Sequence, residues 1–250
     1  NMKKCKNNKN MRFTFENVKA IYEKMKNNAI EEDKGDAYKH ISEILKEVKE
    51  DHRKYWEENK TPKKDHEQSW RAFKGKNFEK LVQYIIEEEI KNLGLKVING
   101  NQLERRSENL SPELDRVKRN LLVDYGEFGS HLPDIDLVIY DPTDCKVIAV
   151  ISSKITLRER ITQTGYWKLK LSKGPNTKDI KVYFVTPDED KTLKEKKPAK
   201  KGRAIVETDL DGTYVLTEEE IDESEKVKSF GHFIDDFKKL IKKQNNIYKY

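Results

Sequence analysis

The chain is poor in the features that mark secreted or membrane proteins. Its two cysteines, Cys5 and Cys145, lie far apart in the sequence, so they fit neither a disulfide framework nor a metal-binding motif. No apolar run approaches the roughly 18 residues that a membrane-spanning helix needs. The N-terminus is polar and lysine-rich, without the apolar centre of a signal peptide. We therefore expect a protein of the reducing cytoplasm without a membrane partner.

Hydrophobic residues are also scarce, at 35% of the 250 residues, whereas charged residues make up 38%. This composition is lean for a buried core, but it falls well short of that of a disordered chain. The length predicts one large domain, or one domain with a smaller appendage. The net charge of +6 is a mild basic excess, so the position of the basic residues matters more than their number.

Two amphipathic helices are predicted in the N-terminal quarter of the chain. Apolar residues recur at helical spacing within Val18–Met25 and again within Ile41–Val48, which places each set on one helix face. The polar segment Thr61–His66 then marks a boundary. We predict a helical subdomain over residues 1–64 and a larger domain over residues 65–250. The helices could pack on that domain, form an oligomer interface or clasp DNA.

Strand and helix patterns alternate in the larger domain, which indicates an α/β fold. The apolar runs 135–140 and 146–151 flank a short turn at Asp141–Asp144 and predict an antiparallel hairpin. A helix over residues 157–171 and an apolar strand over residues 180–185 follow, and such a passage favours parallel pairing. The domain is therefore predicted to have a mixed central β-sheet flanked by helices.

A second hairpin is predicted nearer the C-terminus. The short apolar runs 204–206 and 213–216 flank Asp211 and Gly212, a pair of residues that is typical of a tight hairpin turn. Three further helices complete the pattern, over residues 69–93, 111–122 and 230–243.

Charged side chains flank the open end of the first hairpin. Asp134 and Asp136 enter its first strand at alternate positions that would share a face, and Lys154 follows its second strand. Phosphodiester hydrolysis needs an activated water and charge neutralisation, which Mg²⁺ held by carboxylates supplies. A nearby ammonium can orient the water or balance the phosphate charge. The pattern predicts a metal-dependent nuclease, although Asp134 could belong to a turn and Lys154 could merely end a strand.

The triplet Arg158, Glu159 and Arg160 follows shortly after Lys154. Arginine pairs with guanine O6 and N7, and glutamate accepts from cytosine N4. At the start of a helix these side chains could enter a major groove. We expect the triplet to read G·C base pairs, the alternative being an ion-paired surface cluster.

Pro133-Asp134, Ser152-Ser153-Lys154 and Arg158-Glu159-Arg160 together resemble the CCGG-recognising type II restriction endonucleases of the PD-(D/E)xK group. Members of that family carry serine two residues before the lysine and recruit an acid from elsewhere. The resemblance covers roughly residues 70–185. It implies a restriction-endonuclease-like fold and Mg²⁺-dependent cleavage of double-stranded DNA at a CCGG-containing palindrome such as WCCGGW.

The same resemblance bears on oligomeric state and on the metal ligands. A palindromic site calls for a two-fold symmetric protein, so we expect a homodimer or higher homo-oligomer, for which the N-terminal helices are a candidate interface. The family places its recruited acid on the helix after the lysine, but Thr164–Lys168 contains no carboxylate. Glu79 is therefore the expected second metal ligand beside Asp134. Asp136 and, more weakly, Gln163 are alternatives, and Glu79 could be a solvated helix acid.

Phosphate contacts supply most of the affinity of a protein for DNA. Lys168 and Lys170, on the helix after the triplet, are candidates for such contacts, and so is the segment Lys191–Arg203 with its seven basic residues. Lysine-rich loops of this kind are more often simply solvated.

Two other functions fit parts of the sequence. A RecB-type repair nuclease is one, because Gln163 and Tyr166 faintly resemble its Gln-x-x-x-Tyr motif with a spacing one residue too short. A non-catalytic DNA-binding module is the other, because Ser152 cannot serve as a metal-binding carboxylate. Defined fragments would distinguish a restriction enzyme from the first, and metal-dependent cleavage would distinguish it from the second.

Overall fold

A computed structural model describes residues 12–31, 36–59, 65–157 and 160–247. Within these ranges no helix combines the length and the apolar content that crossing a bilayer requires. The helices are α1 (Phe15–Glu31), α2 (Ile41–Asn59), α3 (His66–Asn92), α4 (Pro112–Leu121), α5 (Arg160–Leu171), α6 (Lys201–Asp209) and α7 (Phe233–Ile247).

The strands form a six-stranded mixed sheet and a separate two-stranded ribbon. Within the large sheet the strands lie side by side in the order in which they occur along the chain. The strands are β1 (Lys96–Asn99), β2 (Val123–Asp124), β3 (Ser130–His131), β4 (Leu137–Tyr140), β5 (Val147–Ser153), β6 (Lys181–Thr186), β7 (Gly212–Val215) and β8 (Val227–Ser229).

The large sheet has the order β1-β4-β5-β6-β7-β8, and the ribbon joins β2 to β3. The pairs β1/β4 and β4/β5 are antiparallel, so the predicted first hairpin is confirmed. The pairs β5/β6, β6/β7 and β7/β8 are parallel, which confirms the predicted passage through α5. Because β5, β6 and β7 run in the same direction, their carboxyl ends lie along one edge of the sheet.

The second predicted hairpin is wrong. Residues 204–206 lie within α6, and β7 pairs with β6 in parallel. A short apolar run does not distinguish helix from strand, and here Arg203 and Val206 are both buried on one helix face, as helical spacing allows. Asp211 does not lie in a hairpin turn: it directly precedes β7, and its carboxylate accepts a 2.8 Å hydrogen bond from the backbone N–H of Val182 in β6. The pattern also missed β8 and the ribbon.

Two hydrophobic cores cover the two faces of the sheet, as alternation along β4 requires. Leu137 and Ile139 join the core beneath α1, α2, α3 and α7, whereas Val138 and Tyr140 join the core beneath α4, α5 and α6. The first core also includes apolar residues of α1 and α2, such as Ile41 at zero exposure. The N-terminal helices are therefore packed on the sheet domain, and the division at residue 64 stays a prediction.

A histidine pair lies where α2 meets α3. His52 is buried, and its Nδ1 is 3.1 Å from His66 Nε2. The aromatic rings of Phe13, Trp70 and Phe73 pack around it. Burial, and then the charge of His66, lower the pKa of His52 below its ordinary value.

We expect this pair to make stability depend on pH. A histidine whose pKa is lower in the folded state binds a proton more readily in the unfolded chain. The free energy of unfolding therefore decreases as pH falls below about 6.5. Urea unfolding of the wild type and of His52→Phe between pH 8 and pH 5.5 tests this. The difference in unfolding free energy between the two should shrink or reverse towards low pH. A difference that stays constant with pH would contradict the assignment of this pH dependence to His52. His131→Gln, which removes an exposed histidine, is the control.

Candidate active site

Lys154 lies at the carboxyl edge of the sheet and contacts two acids. It directly follows β5, and its backbone N–H donates to the Val185 carbonyl oxygen at 3.0 Å. Its Nζ donates to Asp136 Oδ1 at 2.6 Å and to Glu79 Oε1 at 3.1 Å. The three side chains are only 20%, 8% and 15% exposed. A lysine and two carboxylates thus form a partly buried charged cluster.

Asp136 is fixed by backbone hydrogen bonds on both sides. Its Oδ2 accepts the Ser153 N–H at 2.7 Å, so one carboxylate bridges the ends of β4 and β5. Its carbonyl oxygen accepts the Gly100 N–H at 2.8 Å. A Cβ at Gly100 would lie 1.9 Å from the Ile135 carbonyl oxygen, so the backbone approach requires glycine here.

Glu79 comes from the middle of α3. That helix begins with Asp65 as N-cap, whose side chain accepts the Glu67 N–H at 2.9 Å, and its buried face includes the neighbouring Phe78. Glu79 is therefore held at the edge of the core and not in open solvent.

The electrostatics of the cluster follow from this burial. Burial, and then the charge of Asp136, raise the pKa of Glu79 to about 7, although Lys154 opposes the shift. Burial alone would lower the pKa of Lys154, but the charges and hydrogen bonds of Asp136 and Glu79 outweigh it and raise that pKa. The lysine is therefore charged, and the raised pKa of Glu79 shows that Lys154 does not fully offset its burial and the charge of Asp136.

A cleft of about 600 Å³ is lined by Glu79 and Lys154 of this cluster. Basic residues of its lining outnumber acidic ones by five to two, and Arg160, the first residue of α5, is among them. Sequence reasoning predicted Glu79 but missed that α3 also lines the cleft at positions 71 and 75, which recur with Glu79 at helical spacing. The charged and polar residues of the lining include Arg71, Lys74, Lys76, Asn101, Ser153 and Glu189.

Asp134 is placed differently from the expectation. Its side chain is exposed, and its Oδ2 accepts a 2.7 Å hydrogen bond from Gln163 Nε2 on α5. Asp134 and Asp136 were expected to share a face because both were assigned to a strand. The strand begins only at Leu137, so strand alternation does not govern the two aspartates. Of the two aspartates, Asp136 is the one that bonds Lys154.

The predicted DNA-contacting residues meet different surroundings. Arg158 and Glu159 lie outside the described residues. Lys168 pairs with Asp211 at 2.5 Å, and Lys170 Nζ lies 4.4 Å from the centre of the Tyr125 ring. Arg203, which ends the lysine-rich segment, is fully buried and donates to the Leu193 and Asp222 carbonyl oxygens, so its role is structural.

A second group of potential metal ligands lies elsewhere. His40, Glu43 and Glu218 bring their ligand atoms within 4.8 Å of one another. His40 ends the short 3₁₀ helix before α2, Glu43 lies in the first turn of α2 and Glu218 lies in the loop after β7, so the group contains none of the predicted site residues.

Comparison with known proteins identifies the class. A family model described as BsaWI restriction endonuclease type 2 matches residues 113–242. The putative type II restriction enzyme MjaVIP of Methanocaldococcus jannaschii is 42% identical over 181 residues, which cover 70% of this chain and 78% of the relative. The probable type II restriction enzyme HpyAORF263P of Helicobacter pylori is 41% identical over 116 residues, 46% of this chain and 58% of the relative.

These matches define the class as type II restriction endonucleases. The chain belongs to the BsaWI restriction endonuclease type 2 family. Among solved structures, the specific restriction endonuclease AgeI in complex with DNA has the same fold, with a TM-score of 0.52 and 14% identity over 90% of this chain and 91% of that one. The predicted restriction-endonuclease-like fold is thus confirmed.

We expect Gly100→Ala to impair DNA cleavage by displacing Asp136. The added methyl group would collide with the Ile135 carbonyl oxygen, and a shift of about 1 Å near reacting groups can cost roughly 100-fold in rate. Plasmid cleavage under single-turnover conditions measures the effect, and circular dichroism checks folding. Gly165→Ala, whose Cβ would make ordinary contacts with Asp209 at 3.4 Å, should cleave normally. A Gly100→Ala enzyme of normal rate would show that this contact does not position the site.

Proposed function

We propose that this chain is a Mg²⁺-dependent restriction endonuclease that acts as a homodimer and cleaves double-stranded DNA at a CCGG-containing palindrome. The observation that carries the proposal is the contact of Lys154 with both Asp136 and Glu79 in a basic cleft next to Arg160. A lysine and two carboxylates at such a position supply the groups that metal-assisted phosphodiester hydrolysis needs.

The metal ligands in this proposal are Asp136 and Glu79. Mg²⁺ takes hard oxygen ligands, usually one or two carboxylates, and keeps several waters. The raised pKa of Glu79 supports the fit, because a buried acid beside a second acid is stabilised in its charged form by a cation. When bound, such an ion polarises the phosphate and lowers the pKa of a bound water.

The protein's own groups would divide the remaining work. Lys154 keeps its ammonium charged between the two acids, so it can orient the attacking water or balance the charge of the phosphate. Asp134, expected at first to be a metal ligand, is assigned a positioning role, because its hydrogen bond to Gln163 ties the segment before β4 to α5.

Sequence recognition is assigned to Arg158, Glu159 and Arg160. Arginine and glutamate are the side chains that suit guanine and cytosine edges, and Arg160 lines the same cleft as Lys154. Base recognition and cleavage would then share one short connection between β5 and α5. A palindrome is matched by two copies related by a two-fold axis, which supports a homodimer. The AgeI structure contains DNA, which supports DNA as the ligand in this proposal.

The rival functions receive less support. A non-catalytic module was suggested by Ser152, but Glu79 and Asp136 provide two carboxylates beside Lys154. For the RecB-type alternative, Gln163 bonds Asp134, and Tyr166 Oη lies 3.1 Å from Tyr125 Oη. Neither contact involves Lys154.

We expect Lys154→Ala to abolish plasmid cleavage while DNA binding persists. Loss of one preorganised charge at the reacting phosphate costs about 100-fold or more in rate, whereas binding depends on many phosphate contacts. Cleavage is measured with and without Mg²⁺, and binding by fluorescence anisotropy without metal. Lys54→Ala, a change at an exposed lysine of α2, is the matched control and should cut normally.

The same digests test sequence specificity when the fragment ends are sequenced. Every end should fall at a CCGG-containing palindrome. Progressive degradation with random ends would contradict the CCGG assignment and favour the repair nuclease. Binding without cleavage at any Mg²⁺ concentration would contradict the enzymatic proposal.

A further inference from the structure

A second cavity of about 400 Å³ lies beside the active-site cleft. It is formed by one face of α2, the start of α3 and the loops that follow β6 and β7. Five lysines line it, against three carboxylates. The lysines are Lys46, Lys49, Lys74, Lys191 and Lys194.

This lysine cavity adjoins the cleft directly. Lys74 and Glu189 line both, and their side chains are joined by a 2.8 Å ion pair that forms the shared wall. Lys154, Glu189 and Glu219 follow the parallel neighbours β5, β6 and β7 in that order. The lysine cavity therefore extends the cleft along the same edge of the sheet.

The contribution of α2 comes from a single helical face. Ser42, Leu45, Lys46 and Lys49 all line the cavity and recur at the spacing that aligns side chains on a helix. Ile41 and Ile44, on the adjacent face, are buried in the shared core. The lysines of α2 are thus held at a fixed position relative to the active site.

Most of these lysines form ion pairs with acidic side chains of the protein. Glu219 pairs with Lys191 at 2.5 Å and with Lys194 at 3.1 Å, and Glu67 pairs with Lys49 at 2.9 Å. These pairs are partly exposed, and pairs of this kind contribute little to stability. A polyanion with several charged oxygens can take the place of the carboxylates.

We propose that the lysine cavity binds a backbone phosphate of the same DNA molecule, next to the stretch held in the active-site cleft. The inference rests on the proposed function. It makes α2 part of the DNA-binding surface and assigns Lys46, Lys49, Lys191 and Lys194 to a phosphate contact that does not depend on base sequence.

Two substitutions of opposite expected effect test the proposal. Lys46→Ala should weaken binding roughly 3-fold to 10-fold and reduce the slope of log K against log salt by about 1. Glu219→Gln should strengthen binding severalfold, because Lys191 and Lys194 lose their competing carboxylate. Both effects should be equal on duplexes with and without CCGG. Anisotropy of labelled duplexes over a salt series, without metal, measures them.

The neighbouring pair Lys24 and Glu47 provides matched controls. It joins α1 to α2 at 2.9 Å and does not belong to the lining of the lysine cavity. Lys24→Ala and Glu47→Gln should each leave affinity and salt slope unchanged, which separates a local phosphate contact from an effect of net charge.

Three results would overturn the inference. An unchanged salt slope in Lys46→Ala would do so, as would changes matched by the Lys24 and Glu47 controls. Weaker binding in both Lys46→Ala and Glu219→Gln would indicate a structural role for the pairs. These results can be distinguished from failure of the proposed function. If the wild-type enzyme still cuts at CCGG, the proposed function stands and only the phosphate contact of the lysine cavity is refuted.

Discussion

The hydrogen bonds of Lys154 to Asp136 and Glu79 join the end of β5, the segment before β4 and the middle of α3. Two buried carboxylates would repel each other without a cation between them, and the pKa of Glu79 is raised even with the lysine present. Removing one partner of such a buried pair leaves an uncompensated charge, which costs several kcal/mol. The arrangement thus places two carboxylates and one ammonium beside a cleft whose other charged side chains are mostly basic, and these are groups that a divalent cation and a phosphate can use.

The direction of the strands determines where function can reside. Parallel pairing of β5, β6 and β7 brings their carboxyl ends to one edge, and that edge holds both Lys154 and the lysine cavity. The core shared with α1 and α2 fixes the N-terminal helices against the same sheet. A segment that resembles an appendage in the sequence therefore lies within reach of the DNA path that we propose.

Much of the fold follows from the sequence, but the choice of acid does not. Alternation and turn chemistry predicted the β4–β5 hairpin, and Lys154 emerged from its position at the end of that hairpin. Which aspartate contacts the lysine depends on irregular backbone that is tied to Gly100, a residue distant in sequence. No local pattern encodes such a contact. The α6 region was assigned wrongly because short apolar runs suit either periodicity, and only packing on the sheet decides between them.

Metal binding by the isolated protein tests the central claim most directly. Titration with Mn²⁺, followed by electron paramagnetic resonance, should reveal a metal site. Asp136→Asn and Glu79→Gln should each weaken its Mn²⁺ affinity at least about tenfold, since substitution even of residues that only contact metal ligands costs that much affinity. Asp134→Asn should leave the site intact. Loss of Mn²⁺ binding in Asp134→Asn, with normal binding in Asp136→Asn, would contradict the account.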